Sequence, residues 1–510
     1  MHVLSFLKDY TPEDLSHNLI RSRHIERRTP PRRKMPRAVH DSAPLQLGTS
    51  LWVTRDPRAW PRLGVALILL LLQLAPPQVE AQALREAASH AVNVEASQVQ
   101  QPRPPPPSDS QPSIPWTPRC GFTQLHPRRY AAFHLPPPSD ESSGPSSTSG
   151  ITIDGVLNES AWADVPWSEA FQDIQGPQFW SQPWFTTKFK LRYDEQFLFV
   201  AAYLEETAVW ANVSQRNDVI FHDNDFEVFV DADGSTHNYK EFELNARNAT
   251  WNLWLNRPYR DGGHENSSRV DPLHGFDMLS GGMRSAVFVP GHINDPGERL
   301  HYWTAEIALP LSQLALHSKA QVPPTPLSFW RINFSRVEWP VRLVTNSQTG
   351  KQHYEKEPAA KEENWVWSAQ YAVDMHRPEW WGYLQFRPRS ELPSSSLDSR
   401  QPSEVAVSLD PEWSVRYVSF QFYYAQHAFH KATRSFASHM EELLPFVTSR
   451  EALGCMTVLD IHASTESFTA RIASKHPGSN EDLQLIATIK DDGYIVVDKM
   501  SSTDMVATYE

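Results

Sequence analysis

Phe197-Leu-Phe-Val-Ala-Ala-Tyr203 is the stretch of this sequence that decides its fold. Because successive side chains of a β-strand point to opposite faces, the two phenylalanines and the tyrosine share one face, and the leucine and valine share the other. Both faces are apolar, which is typical of a strand covered on both sides. The stretch therefore predicts a central strand of a layered β-structure.

Similar short runs of apolar residues surround this stretch, separated by glycine, proline, asparagine and aspartate. They predict strands at 187–193, 197–204, 225–231, 240–246, 250–255, 285–289, 302–309, 329–339 and 382–386. Helical signals occur only near 159–163 and 311–314. Most of the 18 tryptophans also lie in this part of the chain, where they can be buried. We predict an all-β, antiparallel β-sandwich, jelly-roll-like, over residues 151–390.

The C-terminal part has a different pattern. Residues 425–444 have helical periodicity after a strand-like run at 415–424, and strands are predicted at 456–461, 468–473, 483–489 and 494–497. We expect a small α+β appendage over residues 404–500 that packs against the sandwich.

The N-terminal part carries targeting signals rather than a core. Residues 1–62 form a basic extension that we predict to be disordered, with Met35 a better start site than Met1. The apolar run within 63–81, with a basic flank and small residues after it, predicts a signal peptide. It is shorter than the roughly 20 residues of a membrane span. The competing interpretation is a membrane anchor through residues 63–75. Both place the chain in a secreted, extracellular or surface-anchored location.

Residues 82–150 are rich in proline and serine and predict a linker, although Tyr130–Phe133 could add a strand to the following domain. Cys120 and Cys455 are compatible with one disulfide or with two free thiols. The chain has a formal net charge of -13, which argues against nucleic acid as a partner. Asn-x-Ser/Thr sequons fit a secreted glycoprotein, and they begin at Asn158, Asn212, Asn248, Asn266 and Asn333.

An ordered set of motifs carries a family resemblance. The chain reads Ile-Asp-Gly at 153–155 and Asp-Asn-Asp-Phe-Glu-Val-Phe-Val-Asp at 223–231, with further matching motifs at 242–245, 303–310, 330–336 and 375–382. In order and spacing this set resembles the family 9 carbohydrate-binding modules, and the C-terminal extension is similar to uncharacterised family-9-like proteins. The resemblance implies a non-catalytic β-sandwich that binds polysaccharides such as xylan or cellulose. It also implies a secreted glycoside hydrolase as partner and a role in carbohydrate catabolism.

The resemblance also implies binding residues. In such modules one sugar lies between two tryptophans, and here those positions fall on Phe221 and near Met375. The positions that bond hydroxyls fall on Glu227 and Asn245, whereas the family's arginine is replaced by Glu243. The opposing ring would then come from a nearby tryptophan, one of Trp365, Trp367 and Trp380.

Each of these residues has a plainer interpretation. Glu227 could be a solvent-facing strand residue, Asn245 could close a turn, and the tryptophans could belong to the core.

Aspartates flank the strand at 225–231, and several carboxylate oxygens are what calcium prefers. The candidate ligands are Asp223, Asp225, Asp231 and Asp233. Structural calcium is also what the family resemblance implies. The alternative is that these carboxylates are solvated in turns.

Two other functions stay open. A glycoside hydrolase needs two carboxylates across the scissile bond, and Glu227, Glu241, Glu243 and Glu306 could supply them, but no catalytic signature is present. Related sandwiches bind haem through methionine and histidine. Met375 and His376 would point apart on a strand, so haem would also need Met278 or Met283.

Overall fold

The computed structural model describes residues 120–136, 150–392, 407–474 and 483–501. The predictions for residues 1–62 and 63–81, and for most of 82–150, lie outside the described residues.

Within these ranges the strands are β1 (Arg129–His134), β2 (Gln172–Asp173), β3 (Thr187–Tyr193), β4 (Phe197–Glu205), β5 (Asp225–Asp231), β6 (Tyr239–Asn245), β7 (Thr250–Leu255), β8 (Glu265–Asn266), β9 (Arg284–Phe288), β10 (Tyr302–Pro310), β11 (Phe329–Glu338), β12 (Val341–Thr345), β13 (Gln352–Lys356), β14 (Glu363–Val366), β15 (Gly382–Arg387), β16 (Met456–Ala463), β17 (Phe468–Ser474), β18 (Leu483–Lys490) and β19 (Ile495–Ser501). The α-helices are α1 (Ser160–Ala163), α2 (Leu311–Leu314), α3 (Trp413–Thr433), α4 (Met440–Leu443) and α5 (Arg450–Cys455). Single 3-10 turns occur at Thr123–Leu125, Ile220–His222, Tyr259–Asp261, Met278–Gly281, Pro378–Trp380 and Arg389–Glu391.

One large sheet dominates the fold. Its order is β8-β7-β6-β5-β11-β15-β1-β3-β4-β10-β9, and β14 joins it by pairing with β11 and β2. Phe189 of β3 stacks on Phe334 of β11 with ring centroids 3.9 Å apart, although β15 and β1 separate these strands in the order. The sheet therefore curls over on itself and encloses one core between its two halves, which confirms the predicted layered all-β fold.

The predicted central strand is confirmed. β4 pairs with β3 on one side and β10 on the other, and its residues from Phe197 to Ala202 are all buried. The strand predictions between residues 187 and 387 agree with the structure to within one or two residues at each end.

β1 makes the sheet mixed rather than purely antiparallel, because it runs parallel to both β15 and β3. It lies inside the segment predicted as linker, and of the two alternatives for Tyr130–Phe133 the structure shows the added strand.

The appendage has its own core beneath α3. This helix packs on a four-stranded sheet ordered β16-β17-β18-β19, and the same buried cluster includes Tyr383 of the large sheet. Polar contacts also join the two parts, since Thr236 Oγ1 donates to the Gly493 carbonyl at 2.7 Å and the Arg416 guanidinium donates to the Gly234 carbonyl at 2.6 Å. The predicted packing against the sandwich is confirmed.

The predicted strand at 415–424 was wrong, because the helix α3 spans Trp413–Thr433 and includes it. The helix predicted at 425–444 was wrong in its limits, since α3 ends at Thr433 and the short helix α4 follows at Met440–Leu443. Val415, Val418, Phe422 and Ala425 are fully buried at helical spacing. Valine and tyrosine favour strands in isolation, but the tertiary burial of this stripe decides the conformation. The helix ends where Arg434 adopts a left-handed conformation, φ 67°.

Cys120 and Cys455 form a disulfide that joins residues 335 positions apart, so the alternative of two free thiols does not hold. It ties the segment that leads into β1 to the end of α5.

The Asn333 sequon lies in β11, where the asparagine is fully buried and its amide donates to the Ser368 carbonyl at 2.8 Å. This sequon is therefore closed to glycosylation in the folded chain.

None of the helices in the described part of the chain is both long and apolar enough to cross a membrane.

Removal of the disulfide should destabilise the protein. Replacing both Cys120 and Cys455 by serine releases a constraint on the unfolded chain, and we expect the free energy of unfolding to fall by about 2–5 kcal/mol. Denaturant unfolding monitored by tryptophan fluorescence measures this. The double variant should be insensitive to reductant, and a wild-type unfolding midpoint unchanged by reductant would contradict the expectation.

His126 should make stability depend on pH. Its ring lies 4.7 Å from Tyr383 and 5.3 Å from Trp413, and burial lowers the pKa of His126 to about 4. Because the unfolded chain takes up this proton near pH 6.5, stability should decline as the pH falls from 6.5 to 4. Unfolding curves of wild type and His126→Phe across this range test this. The variant should lose less stability than wild type, and parallel losses would refute the assignment.

Candidate functional site

An open cleft of about 660 Å³ lies between the segment that precedes β5 and the β12–β13 hairpin. It combines aromatic rings with amides, carboxylates and one ammonium group. Its lining residues are Trp210, Asn212, Val213, Ser214, Gln215, Asp218, His222, Asp223, Asn294, His353, Tyr354, Glu355 and Lys356.

Asp223 fixes one wall of this cleft. Its buried carboxylate accepts hydrogen bonds from the backbone N–H groups of Asn212 and Val213 at 2.8 and 2.7 Å, and from Asn245 Nδ2 at 2.9 Å. The segment around Asn212 is therefore held against the start of β5 and the end of β6. This leaves the Asn212 and Gln215 side chains exposed along the wall.

The hairpin forms the other wall and is held to the turn at Phe221. Lys356 Nζ lies 3.4 Å from the centre of the Trp339 ring, and Trp339 Nε1 donates to the Phe221 carbonyl at 2.9 Å. Burial lowers the pKa of Lys356. On the facing wall, burial and the nearby Lys356 charge lower the pKa of His222. A neutral imidazole can both donate and accept hydrogen bonds at the mouth of the cleft.

The structure brings three predicted sugar-binding residues together on one face of the sheet but buries them. Glu227 of β5 is paired in register with Glu243 of β6, and Asn245 is paired with Asp225. The Asn245 amide donates to Asp223 and to the Val213 carbonyl, and its oxygen accepts from the backbone of Arg247 and Ala249. Asn245 therefore serves the local turn, as in the plainer interpretation, and has no group left for a sugar hydroxyl.

Glu227 and Glu243 are not solvent-facing either. Both are buried, and burial raises the pKa of Glu227 to about 7 and that of Glu243 well above its usual range. The neighbouring Glu241 behaves alike, with a pKa raised by burial to about 8. In this structure the carboxyl groups lie beneath the surface and do not reach the cleft.

The predicted stacking rings are mostly enclosed. Trp365 and Trp367 are 1% and 0% exposed in the main core, and Met375 is buried beside Trp381. Neither tryptophan can stack on a sugar in this structure, so this prediction was wrong. The cause is that β14 leads inward to pair with β2 and β11 rather than forming a rim loop.

Trp380 and Phe221 are partly accessible. Trp380 is covered by α3 and donates to the Tyr424 hydroxyl at 3.2 Å. Phe221 is half-buried in the turn that borders the cleft, between Ile220 and His222. Of the predicted sugar-binding residues, Phe221 therefore lies nearest to an open groove.

Exposed aromatic side chains also occur in a loop that the sequence analysis did not single out. Trp180 is 88% exposed and Trp184 is 48% exposed, and Phe179 contacts Trp180 with ring centroids 5.6 Å apart. We call residues 176–184 the aromatic loop. The signal in the sequence was the density of glycine, proline and glutamine around these rings, which is unfavourable for a core strand.

The four predicted metal ligands do not form one site. Asp223 and Asp225 lie at the beginning of β5 and Asp231 and Asp233 at its end, and a seven-residue strand is about 20 Å long. Asp231 and Asp233 instead accept backbone hydrogen bonds from Thr236 and Ser235 and shape the following turn. The strand predicted at 225–231 already separates the two pairs of aspartates, so its length alone argued against one site for all four.

The residues considered for haem lie in different cores. His376 Nδ1 lies 2.9 Å from the Tyr239 hydroxyl, and Met375 packs in the cluster with Trp381, whereas Met278 and Met283 belong to the main core. The pairs named from the sequence are therefore not placed to share one iron.

Comparison with known proteins finds one family model that matches part of the chain. Residues 153–268 match the family model described as "Carbohydrate family 9 binding domain-like". No curated protein matches the chain.

Solved structures give distant likenesses. A Bacteroides uniformis protein proposed to bind carbohydrate is 14% identical, with a TM-score of 0.33 over 51% of this chain and all of that one. A family 9 module of Caldicellulosiruptor kristjanssonii in complex with cellotriose is 13% identical, with a TM-score of 0.30 over 53% of this chain and all of its own. The same module with glucose covers 52% of this chain at the same identity and score. In residues 153–268 this chain is therefore similar to the carbohydrate family 9 binding domain-like family.

Proposed function

We propose that the chain binds carbohydrate without cleaving it, in the cleft between the Phe221 turn and the β12–β13 hairpin. The observation that carries the proposal is the cleft itself, which places rings and hydrogen-bonding side chains around a groove of about 660 Å³. A concave site with a few convergent polar groups is the usual form of a small-molecule binding site, and this volume accommodates a short oligosaccharide.

The residue types in the cleft suit a sugar. Tyr354 and His222 supply partly exposed rings against the apolar C–H face of a pyranose. Gln215 and Asp218 supply exposed donors and acceptors for its hydroxyls. The family 9-like match covers residues 153–268, which include His222, Gln215 and Asp218 but not the hairpin that carries Tyr354.

The carboxylates considered for hydrolysis support binding over catalysis. Glu227, Glu241 and Glu243 are buried away from the cleft. Glu306 accepts hydrogen bonds from Trp162 Nε1 at 2.8 Å and from the Gly155 N–H at 2.9 Å, and burial raises its pKa to about 7. A glycosidase also needs a carboxylic acid with a raised pKa as its proton donor. The cleft carries Asp218 and Glu355 on its two walls, but hydrogen bonds with His353 and Arg342 lower the pKa of Glu355.

The wider setting is part of the same proposal. We expect a secreted or surface-anchored protein that binds a polysaccharide such as xylan or cellulose and acts beside a secreted glycoside hydrolase. Residues 63–75 would supply the export signal or the membrane anchor.

Substitution of the cleft rings should weaken binding. In Tyr354→Ala combined with His222→Ala, the stacking surface is lost, and we expect at least a tenfold loss of affinity on a glycan array and in titration calorimetry. This corresponds to about 1.4 kcal/mol. Both side chains are at the surface, so the unfolding curve should be nearly unchanged.

Trp180→Ala combined with Trp184→Ala is the matched control, because it removes two exposed rings of the aromatic loop outside the cleft. Binding retained in this control and lost in the cleft variant supports the location. The reverse pattern would move the site to the aromatic loop. Release of reducing sugar from any bound glycan would overturn the non-catalytic part.

The Asn212 sequon should control access to the cleft. Asn212, Val213 and Ser214 all line it, so an N-linked glycan on exposed Asn212 would occupy the groove. Protein from a glycosylating host should bind added oligosaccharide more tightly as Asn212→Gln than as wild type. Asn158→Gln, at an exposed sequon outside the cleft, should behave like wild type, and equal affinities for all three proteins would contradict this.

A further inference from the structure

A second groove, of about 390 Å³, lies where the appendage meets the large sheet. One wall comes from the residues just before β6 and just after β7, and the other comes from the turn between β18 and β19. The first wall carries His237, Asn238, Asn256 and Arg257. The second carries Lys490, Asp492 and Tyr494. We call this the junction groove, and it shares no lining residue with the cleft.

The two walls of the junction groove are fixed to each other. The His237 ring stacks on the Tyr494 ring, with centroids 5.1 Å apart and an angle of 24° between the planes. Beside this pair, the Ile495 N–H donates to the Ser235 carbonyl at 3.2 Å. The groove is therefore formed before any ligand arrives, which lowers the cost of binding.

The two asparagines of the groove have their amide oxygens occupied by the protein. Asn238 Oδ1 accepts from Trp254 Nε1 at 3.2 Å, and Asn256 Oδ1 accepts from the His264 N–H at 3.1 Å. An amide nitrogen only donates hydrogen bonds. What these side chains can still offer to a ligand are donors.

Two buried nitrogens of the same wall have no hydrogen-bond partner among the described residues. They are His237 Nε2, in a residue that is 7% exposed, and Arg257 Nε. Arginine Nε only donates, and the Nε2 of a neutral imidazole donates when it carries the proton. Buried polar groups are normally paired, so two unpaired nitrogens in a groove wall point to a ligand that accepts hydrogen bonds.

The charge of the lining also favours an acceptor. Arg257 and Lys490 are cationic, and the one carboxylate of the lining, Asp492, offsets only one of these charges. Asp492 Oδ2 lies 3.6 Å from His237 Nε2 and 3.5 Å from Arg257 Nη1, which is longer than an ordinary hydrogen bond. Lys319 Nζ, 6.0 Å from the centre of the Tyr494 ring, adds a positive charge at the edge. The groove is thus locally basic in an acidic chain.

We propose that the junction groove binds an oxyanion, namely the sulfate or carboxylate group of an acidic glycan or a free anion of the same chemistry. Guanidinium and ammonium groups form strong, charge-assisted hydrogen bonds with such groups, and the planar fork of Arg257 suits their geometry. Lys490 and the amide nitrogens of Asn238 and Asn256 donate to the remaining oxygens. The volume exceeds that of one sulfate ion and has room for the sugar that carries it.

The test compares dextran with dextran sulfate, which are the same polymer without and with the oxyanion. Titration calorimetry on the full chain, near neutral pH and at low ionic strength, should show at least tenfold tighter binding of dextran sulfate. Inorganic sulfate is then added as a competitor. Displacement at millimolar sulfate identifies the free anion as a sufficient ligand, whereas resistance to sulfate identifies the sulfated sugar.

Arg257→Gln combined with Lys490→Gln should weaken the binding of dextran sulfate at least tenfold. The matched control is Arg299→Gln combined with Lys361→Gln, which removes the same charge at exposed positions outside the groove and should leave the affinity unchanged. Asp492→Asn, which removes the carboxylate of the lining, should bind dextran sulfate more tightly than wild type. If the first double variant does not fold, Lys490→Gln alone replaces it, because this side chain is exposed.

Three results would overturn the proposal: equal affinity of the wild type for dextran and dextran sulfate, a folded groove variant that binds like the wild type, or an equal loss in the control. The proposal does not rest on carbohydrate binding in the cleft. Tyr354→Ala combined with His222→Ala should therefore keep its affinity for dextran sulfate, which distinguishes failure of one proposal from failure of the other.

Discussion

The contact of Phe189 with Phe334 marks the constraint on which the rest of the structure depends. A single sheet must curl until rings from its two halves stack, because only then is the apolar side of each half covered. This closure fixes where each strand ends. The beginning of β5 and the ends of β6 and β11 meet near Asp223, and the cleft forms where the segments leaving these strands separate.

The closure of the sheet also explains why the acidic face of β5 and β6 is buried. Segments that follow β7 and β14 cover a face that carries acidic residues, so carboxyl groups at alternate positions are removed from water. One oxygen each of Asp225, Glu241 and Glu243 is left there without a hydrogen bond. From the alternation of apolar and acidic residues alone, these carboxyl groups would be predicted to face solvent. Burial disfavours their charged form and raises the pKa of Glu227, Glu241 and Glu243.

The sequence predicted the β-architecture well because strand patterns are local. The apolar residues on both faces of β4 predicted a strand with neighbours on both sides, and the shorter apolar patterns gave the limits of β3, β5 and β7. The sequence predicted secondary structure less well where tertiary contacts determine the conformation. The valines and tyrosines of α3 favour a strand in isolation, but they form a helix that is buried against a second sheet. The site shows the same division. The family resemblance grouped Glu227, Glu243 and Asn245, and the structure places them on one face of the sheet, but no local pattern of the sequence shows what covers that face. The hairpin that completes the cleft comes from more than 100 residues further along the chain.

β1 bears on how this protein can be divided. It lies between β15 and β3 and is anchored through Cys120 to the far end of the chain. A recombinant fragment that begins at the Ile-Asp-Gly motif lacks β1, which would open the sheet at its middle and leave two strand edges free to pair with other molecules. A fragment limited to the residues of the family match would also lack β9, β10, β11 and β15. A self-sufficient unit therefore has to begin before Cys120 and retain the residues through β19.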